Sequence, residues 1–217
     1  MKIKENKKYL ISAIGFLAAF ALWTLLIKIV DVQAIGPRDS SVGFAALNSF
    51  VHELFGVNMT LYTITDWLGL VPFVFVFGFA ILGLCQWIKR KSLAKVDKSI
   101  FVLGGFYVVV MMAFLSFEFF VINYRPVLIE GVLEASYPSS TTMLVTCVMP
   151  TAVMQFNERI KNSALRRTAS VLLVTFMMFM VVGRLISGVH WFSDIFGGLL
   201  LSAGLVLAYK FFEKSIR

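Results

Sequence analysis

Charged side chains are scarce in this chain, at 15% of 217 residues. Soluble domains carry about a quarter, and 59% apolar residues are more than a soluble fold can hide. A water-soluble globular domain is therefore excluded. Histidine and cysteine are scarcer still, with two of each. Cys85 and Cys147 both fall inside apolar runs, spaced for neither a disulfide framework nor a zinc site. The lone histidines and scattered carboxylates form no metal-ligand spacing, so neither metal nor cofactor is expected. Internal repeats and low-complexity linkers are also missing, which argues against separate domains.

What the chain has in abundance is long apolar runs. A spanning helix takes roughly 20 apolar residues, and six runs serve, at about 9–30, 64–88, 99–122, 140–156, 168–187 and 194–212. The expected fold is an all-α integral membrane protein, with six transmembrane helices in one bundle forming a single domain over 1–217. The first run follows MKIKENKK; it is too long for a signal-peptide core and lacks a clean small-residue exit, so it reads as an uncleaved first span. Trp23, Trp67, Trp87 and Trp191 fall near span ends, where belt residues sit.

The net charge of +8 does not mark a nucleic-acid binder, because of where the charge lies. Sixteen of the twenty basic residues fall before span one, between spans two and three, between four and five, or after six; the others are Lys28, Arg38, Arg125 and Arg184. That alternation puts both termini in the cytoplasm, in a plasma-membrane protein whose partners are lipids.

The outer connections are then about 31–63, 123–139 and 188–193. In the first, Phe44, Leu47, Val51, Leu54 and Phe55 recur at helical spacing, opposite Asn48, Ser49, His52 and Glu53. This predicts an amphipathic helix in the membrane interface between spans one and two. Ser40 or Ser41 would cap it, and His52 would face water or headgroups. Asn58-Met59-Thr60 fits a glycosylation sequon, a pattern common by chance.

The other two outer connections carry the chemistry. NYRPVLIEGVLEASYPSSTT (123–142) and GRLISGVHWFSD (183–194) bring Arg125, Glu130, Glu134, Ser139, Ser140, Thr141, Arg184, His190 and Asp194 to one face. Arginine forks phosphate oxygens and stays charged at any relevant pH. Pro138-Ser139-Ser140 opens span four, and a helix start offers free N–H groups to an anion. Ser139 or Ser140 suits the N-cap. An aspartate four residues after a histidine can hold one ring nitrogen and leave the other free to attack. That is the equipment of a histidine nucleophile forming a phosphoenzyme.

These residues resemble the type 2 phosphatidic acid phosphatases, the membrane lipid phosphate phosphatase superfamily, over roughly 60–212. That family has six spans and three motifs. The first is Lys, six residues, Arg-Pro; the second Pro-Ser-Gly-His; the third Ser-Arg, five residues, His, three residues, Asp. Arg125-Pro126, Pro138-Ser139 and the trio Arg184, His190 and Asp194 match. Four positions depart: the family's lysine falls on Glu118, its glycine on Ser140, its second-motif histidine on Thr141, and the third motif's serine on Gly183. The resemblance implies that His190 is the nucleophile, Asp194 its partner, and Arg125 and Arg184 the phosphate clamp, with Ser139 and Ser140 beside them. It also implies that the general acid and the lysine are missing.

A diphosphate needs no proton on its leaving phosphate. The expected activity is thus hydrolysis of a lipid phosphate or diphosphate at the outer face, with polyprenyl diphosphate favoured. Glu118 supplies the missing proton if it is buried, or pairs with Arg125 two turns on if the helix extends that far. Two other readings stay open: phosphoryl transfer to a lipid or glycan hydroxyl, and a lipid-phosphate-binding or scaffolding protein that has lost its chemistry.

Overall fold

The computed structural model describes residues 2–216, with side chains from Asn6 onward. The side chains of Lys2 and Lys4, and all of Arg217, lie outside the described residues. The described residues form eight α-helices: α1 (Lys2–Ile29), α2 (Ala45–Phe55), α3 (Met59–Leu68), α4 (Val71–Arg90), α5 (Lys98–Phe119), α6 (Ser140–Arg159), α7 (Ser163–Ile186) and α8 (Phe192–Ser215). Among the described residues the only β structure is isolated bridges, two of them in the 124–135 loop.

Among the described residues, five helical stretches are long and apolar enough to cross a membrane: Asn6–Ile29, Met59–Arg90 (α3 and α4 together), Lys98–Phe119, Ser163–Ile186 and Phe192–Ser215. The chain is a multi-pass membrane protein. The remaining long helix, α6, has 20 residues like α4 but carries Thr141, Thr142, Thr146, Thr151 and Gln155, all buried. It packs against α4, α5, α7 and α8, so its sides meet protein instead of lipid. Two of its hydroxyls bond within the helix, Thr146 Oγ1 to Thr142 O at 2.6 Å and Thr151 Oγ1 to Cys147 O at 2.9 Å, while Thr142 Oγ1 has no partner. A helix wrapped by its neighbours has no need of the apolar surface that a lipid-facing span requires.

The two ends of the bundle differ. At one end Arg159 of α6 reaches Asp97 (3.0 Å) and Ser99 (2.9 Å) at the start of α5, and Arg90 of α4 joins at 2.9 Å. The bonded Arg159 guanidinium holds the Asp97 carboxyl down to about 2. Lys210 and Lys214 lie over the Tyr9 ring, which brings the α8 end to the α1 start. The interhelix basic clusters of the sequence thus gather at this end. The 123–139 and 187–191 loops lie at the other.

The helix foreseen after span one is present as α2, but its surroundings differ from expectation. Ser40 and Ser41 do not cap it. The N-cap position is Phe44, and Asp31 takes the capping role: its Oδ2 accepts from Ala46 N at 2.7 Å and its carbonyl from Ala45 N at 2.9 Å. Asn48, from the polar side of α2, faces inward, while Glu53 on that side stays exposed. Asn48 is fully buried; its Nδ2 donates to Gly43 O (2.8 Å) and Ser193 Oγ (3.0 Å), and its Oδ1 accepts from Ser193 N (3.0 Å). His52 is half-buried with its ring 5.5 Å from that of Trp191, not turned to water. Phe50 and Leu54 point outward instead. Buried amide groups keep partners at such contacts, which explains why Asn48 is drawn in.

The start of span two is a separate helix, α3. Asn58, the sequon asparagine, is its N-cap and accepts from Leu61 N at 2.9 Å. Trp67 and Trp87 are exposed. Trp23 and Trp191 are instead internal ties, donating to Ser193 O (3.1 Å) and Tyr124 O (2.8 Å).

Candidate functional site

His190 lies in the loop between α7 and α8, one residue before Trp191, the N-cap of α8. It is 4% exposed. Its Nε2 is 3.4 Å from Arg125 Nη1. Its Nδ1 is 3.8 Å from Asp194 Oδ2, an approach too long for a hydrogen bond. The reason is that Oδ2 already accepts from Trp191 N at 3.0 Å, while Oδ1 takes Asn123 Nδ2 at 3.2 Å. The N-terminal turn of α8 and the 123 loop thus fix the carboxylate, and the imidazole lies just beyond its reach. Ser136 lies against both His190 and Asp194.

Burial pushes the His190 pKa well below that of free imidazole, and the nearby Arg125 and Arg184 charges push it further. The ring is therefore neutral, as a nucleophile must be. An unfolded histidine takes up its proton near pH 6.5, so between that value and the lower folded one the unfolded chain holds more protons. Acidification through this window is expected to destabilise the fold. The acid limb of kcat/KM assigned to His190 is expected below pH 6.5. A pH series of thermal unfolding and initial rates checks both; a limb above pH 7 that His190 controls would contradict the geometry.

Both arginines are buried and both are already partnered. Arg125 Nε is 2.9 Å from Glu134 Oε2, an ion pair in which the N–H is not aimed for a hydrogen bond. Arg184 is 1% exposed; its Nη2 is 3.3 Å from Asp66 Oδ1 and its Nη1 3.4 Å from Thr65 Oγ1. Its Nε has no partner. The Tyr62 ring lies beneath both guanidiniums, 4.9 Å from that of Arg184 and 5.8 Å from that of Arg125.

The remaining residues singled out from sequence are placed as follows. Ser139 is the N-cap of α6, but its hydroxyl bonds nothing and its N–H donates to Asp194 O at 3.1 Å. Its N–H ties α6 to α8, while its buried hydroxyl is left without a partner. Ser140 lines a recess with His190, Ser136, Glu118, Phe114 and Phe117. The space open to a water centre there is about 10 Å³, room for about one water. Glu118 is exposed on α5, so it does not meet the condition for acting as a buried proton donor. Nor does it pair with Arg125: α5 stops at Phe119, and Glu134 holds that arginine. Thr141 is buried, with its methyl toward Gly69 between α3 and α4. Gly183 is buried against α3, where a Cβ would come 2.8 Å from Thr65 Cγ2. Glu130 lies exposed in a left-handed turn (φ 50°), with no contact to these groups among those described.

Sequence reasoning missed Tyr62, Thr65, Asp66, Asn123, Ser136 and the tie made by Trp191. One signal was available. Asp66 is the single charged residue in the apolar stretch 64–88, and an ionisable group in a span is a functional pointer.

The family model described as the PAP2 superfamily matches residues 73–217. Among solved structures, the chain is similar to one described as the first transmembrane PAP2 type phosphatidylglycerolphosphate phosphatase from Bacillus subtilis. The TM-score is 0.63 at 18% identity, covering 94% of this chain and 97% of that one. At that identity the likeness is one of fold. No curated protein matches the chain.

Proposed function

Because the chain belongs to the PAP2 superfamily, we propose that it is a membrane lipid phosphatase acting on a lipid diphosphate through His190. The observation that carries this reading is the neutral, buried imidazole with one nitrogen beside Arg125 and the other toward Asp194. Nε2 attacks the terminal phosphorus, and the bond from that phosphorus to the bridging oxygen breaks. The leaving lipid monophosphate departs with the electron pair. Arg125 and Arg184 balance charge on the phosphoryl oxygens. Asp194 stabilises the imidazolium that forms, once the 3.8 Å gap closes; such contacts are often long before substrate binds. Water then attacks the phosphohistidine, the P–N bond breaks, and the water's proton passes to the released phosphate.

The substrate class follows from what surrounds the ring. The recess beside His190 holds Glu118, Ser136, Tyr137 and Ser140. Glu118 is exposed, and the Tyr137 hydroxyl is engaged with Thr24 at 2.6 Å. No group there is suited to protonating an alkoxide, so a leaving group that departs unprotonated is favoured. A polyprenyl diphosphate has one.

In this reading α6 crosses with the other five spans, as its 20 residues reach about 30 Å. The basic end faces the cytoplasm, and the site opens at the outer face of the plasma membrane. Purified protein is expected to release phosphate from polyprenyl diphosphate far faster than from the same lipid's monophosphate. Release from neither would refute the enzymatic reading, and retained lipid binding would then favour a lipid-phosphate-binding protein.

A further inference from the structure

The helix that touches Arg184 most closely, α3, precedes the stretch 73–217 that the family model matches. The three motifs give it no part. Yet it contacts the clamp through three side chains. Tyr62 lies under both guanidiniums, at 4.9 and 5.8 Å. Thr65 and Asp66 reach the two terminal nitrogens of Arg184 at 3.4 and 3.3 Å. Two cations side by side repel, and the negative face of an aromatic ring is a neutral surface that attracts both.

The docking of α3 is itself specific. Asn58 N donates to Ser187 O at 3.0 Å, three residues before His190 in the same loop. Gly188 has φ +67°, and a Cβ there would meet Gly56 O at 1.9 Å. A Cβ at Gly183 would meet the Thr65 methyl at 2.8 Å. The glycine that replaces the third motif's serine is thus the residue that lets α3 approach Arg184.

We infer that α3 is a positioning element of the oxyanion clamp. Tyr62 holds Arg125 and Arg184 side by side, and Asp66 is a counter-charge that occupies Arg184 until a phosphoryl group displaces it. The two contacts to Arg184 are long for hydrogen bonds, and the Asp66 side chain is 55% exposed, so it can swing to solvent as an anion enters. The buried Arg184 Nε, without a partner, remains for the ligand. This inference rests on the oxyanion-binding part of the phosphatase reading.

The two roles have opposite signs, which separates positioning from mere packing. The test is orthovanadate binding by calorimetry to the full chain and three variants, each checked by thermal unfolding. Tyr62→Leu is expected to weaken binding about tenfold, while Tyr62→Phe, which keeps the ring, stays within about twofold of native. Asp66→Asn is expected to tighten binding up to about fivefold, since it removes a competing charge at an exposed position. Should Tyr62→Leu fail to fold, the Phe and Asn variants still decide. Weaker binding in Asp66→Asn, or equal affinity in a folded Tyr62→Leu, overturns the inference alone. Absence of vanadate binding by the native chain overturns the phosphatase reading with it.

Discussion

Replacing His190 by alanine is expected to lower phosphate release from polyprenyl diphosphate by a factor on the order of 10⁴ or more, because it removes the attacking atom itself. The chain offers no substitute. Its other histidine, His52, sits on α2 against the Trp191 ring at 5.5 Å between centroids, with burial lowering its pKa. Asp194→Asn is expected to cost less, about 10²–10⁴, since the asparagine can keep the bond from Trp191 N while losing the charge that steadies the imidazolium. Brief reaction with labelled diphosphate and an acid-free quench should leave phosphate on the native chain and none on His190→Ala. Equal turnover by native and variant would end the proposal. Thermal unfolding of the variant separates lost chemistry from lost fold, as His190 is a packed residue at 4% exposure.

The second large effect is a gain. Thr141 occupies the position where the family carries its second-motif histidine, and Thr141→His restores a group able to protonate an alkoxide. General acids contribute typically about 10²–10⁴-fold. Hydrolysis of a lipid monophosphate is expected to rise by that order, while hydrolysis of the diphosphate changes little. The asymmetry is the signature, because only the monophosphate's leaving group needs the proton. The ring must fit where a threonine is 9% exposed and its methyl points toward Gly69. Overpacking of that kind costs about 1–3 kcal/mol, so a lower Tm is expected beside the higher rate. A folded Thr141→His that raises both reactions equally would show that leaving-group protonation does not limit this site.

The parts of the fold that were legible share a cause. Long apolar runs are read directly, since lipid demands them of any helix facing it, and five of the six runs are matched by helices suited to crossing. The exception is instructive. α6 falls short in apolarity because its threonines and Gln155 face other helices, and no run of residues announces which neighbours will surround it. The spacing of Arg184, His190 and Asp194 was legible for a similar reason: it spans one helix end, a loop and the next helix start, so it is local in sequence.

Partnerships across distance were not legible. Glu118 was placed within reach of Arg125 by helical periodicity, but α5 ends at Phe119 and Glu134 holds that arginine at 2.9 Å. Ser40 and Ser41 looked like caps, whereas Asp31, arriving from the end of α1, supplies the acceptor. The spacing turns His52 to solvent, but α2 brings Asn48 inward to hold Ser193 of α8 and sets His52 against Trp191.

By itself the sequence determined the solvent, the number of apolar runs, the end of the bundle to which basic residues gather, and the local order of the third motif. These depend on composition and on neighbours along the chain. Only the tertiary structure decided which carboxylate neutralises which arginine, that Tyr62 lies beneath both, and that Gly183 makes room for α3. Several of these contacts join residues far apart in the chain, Arg184 and Asp66 by more than a hundred positions, and all are set by how the chain packs, not by any spacing that can be counted along it.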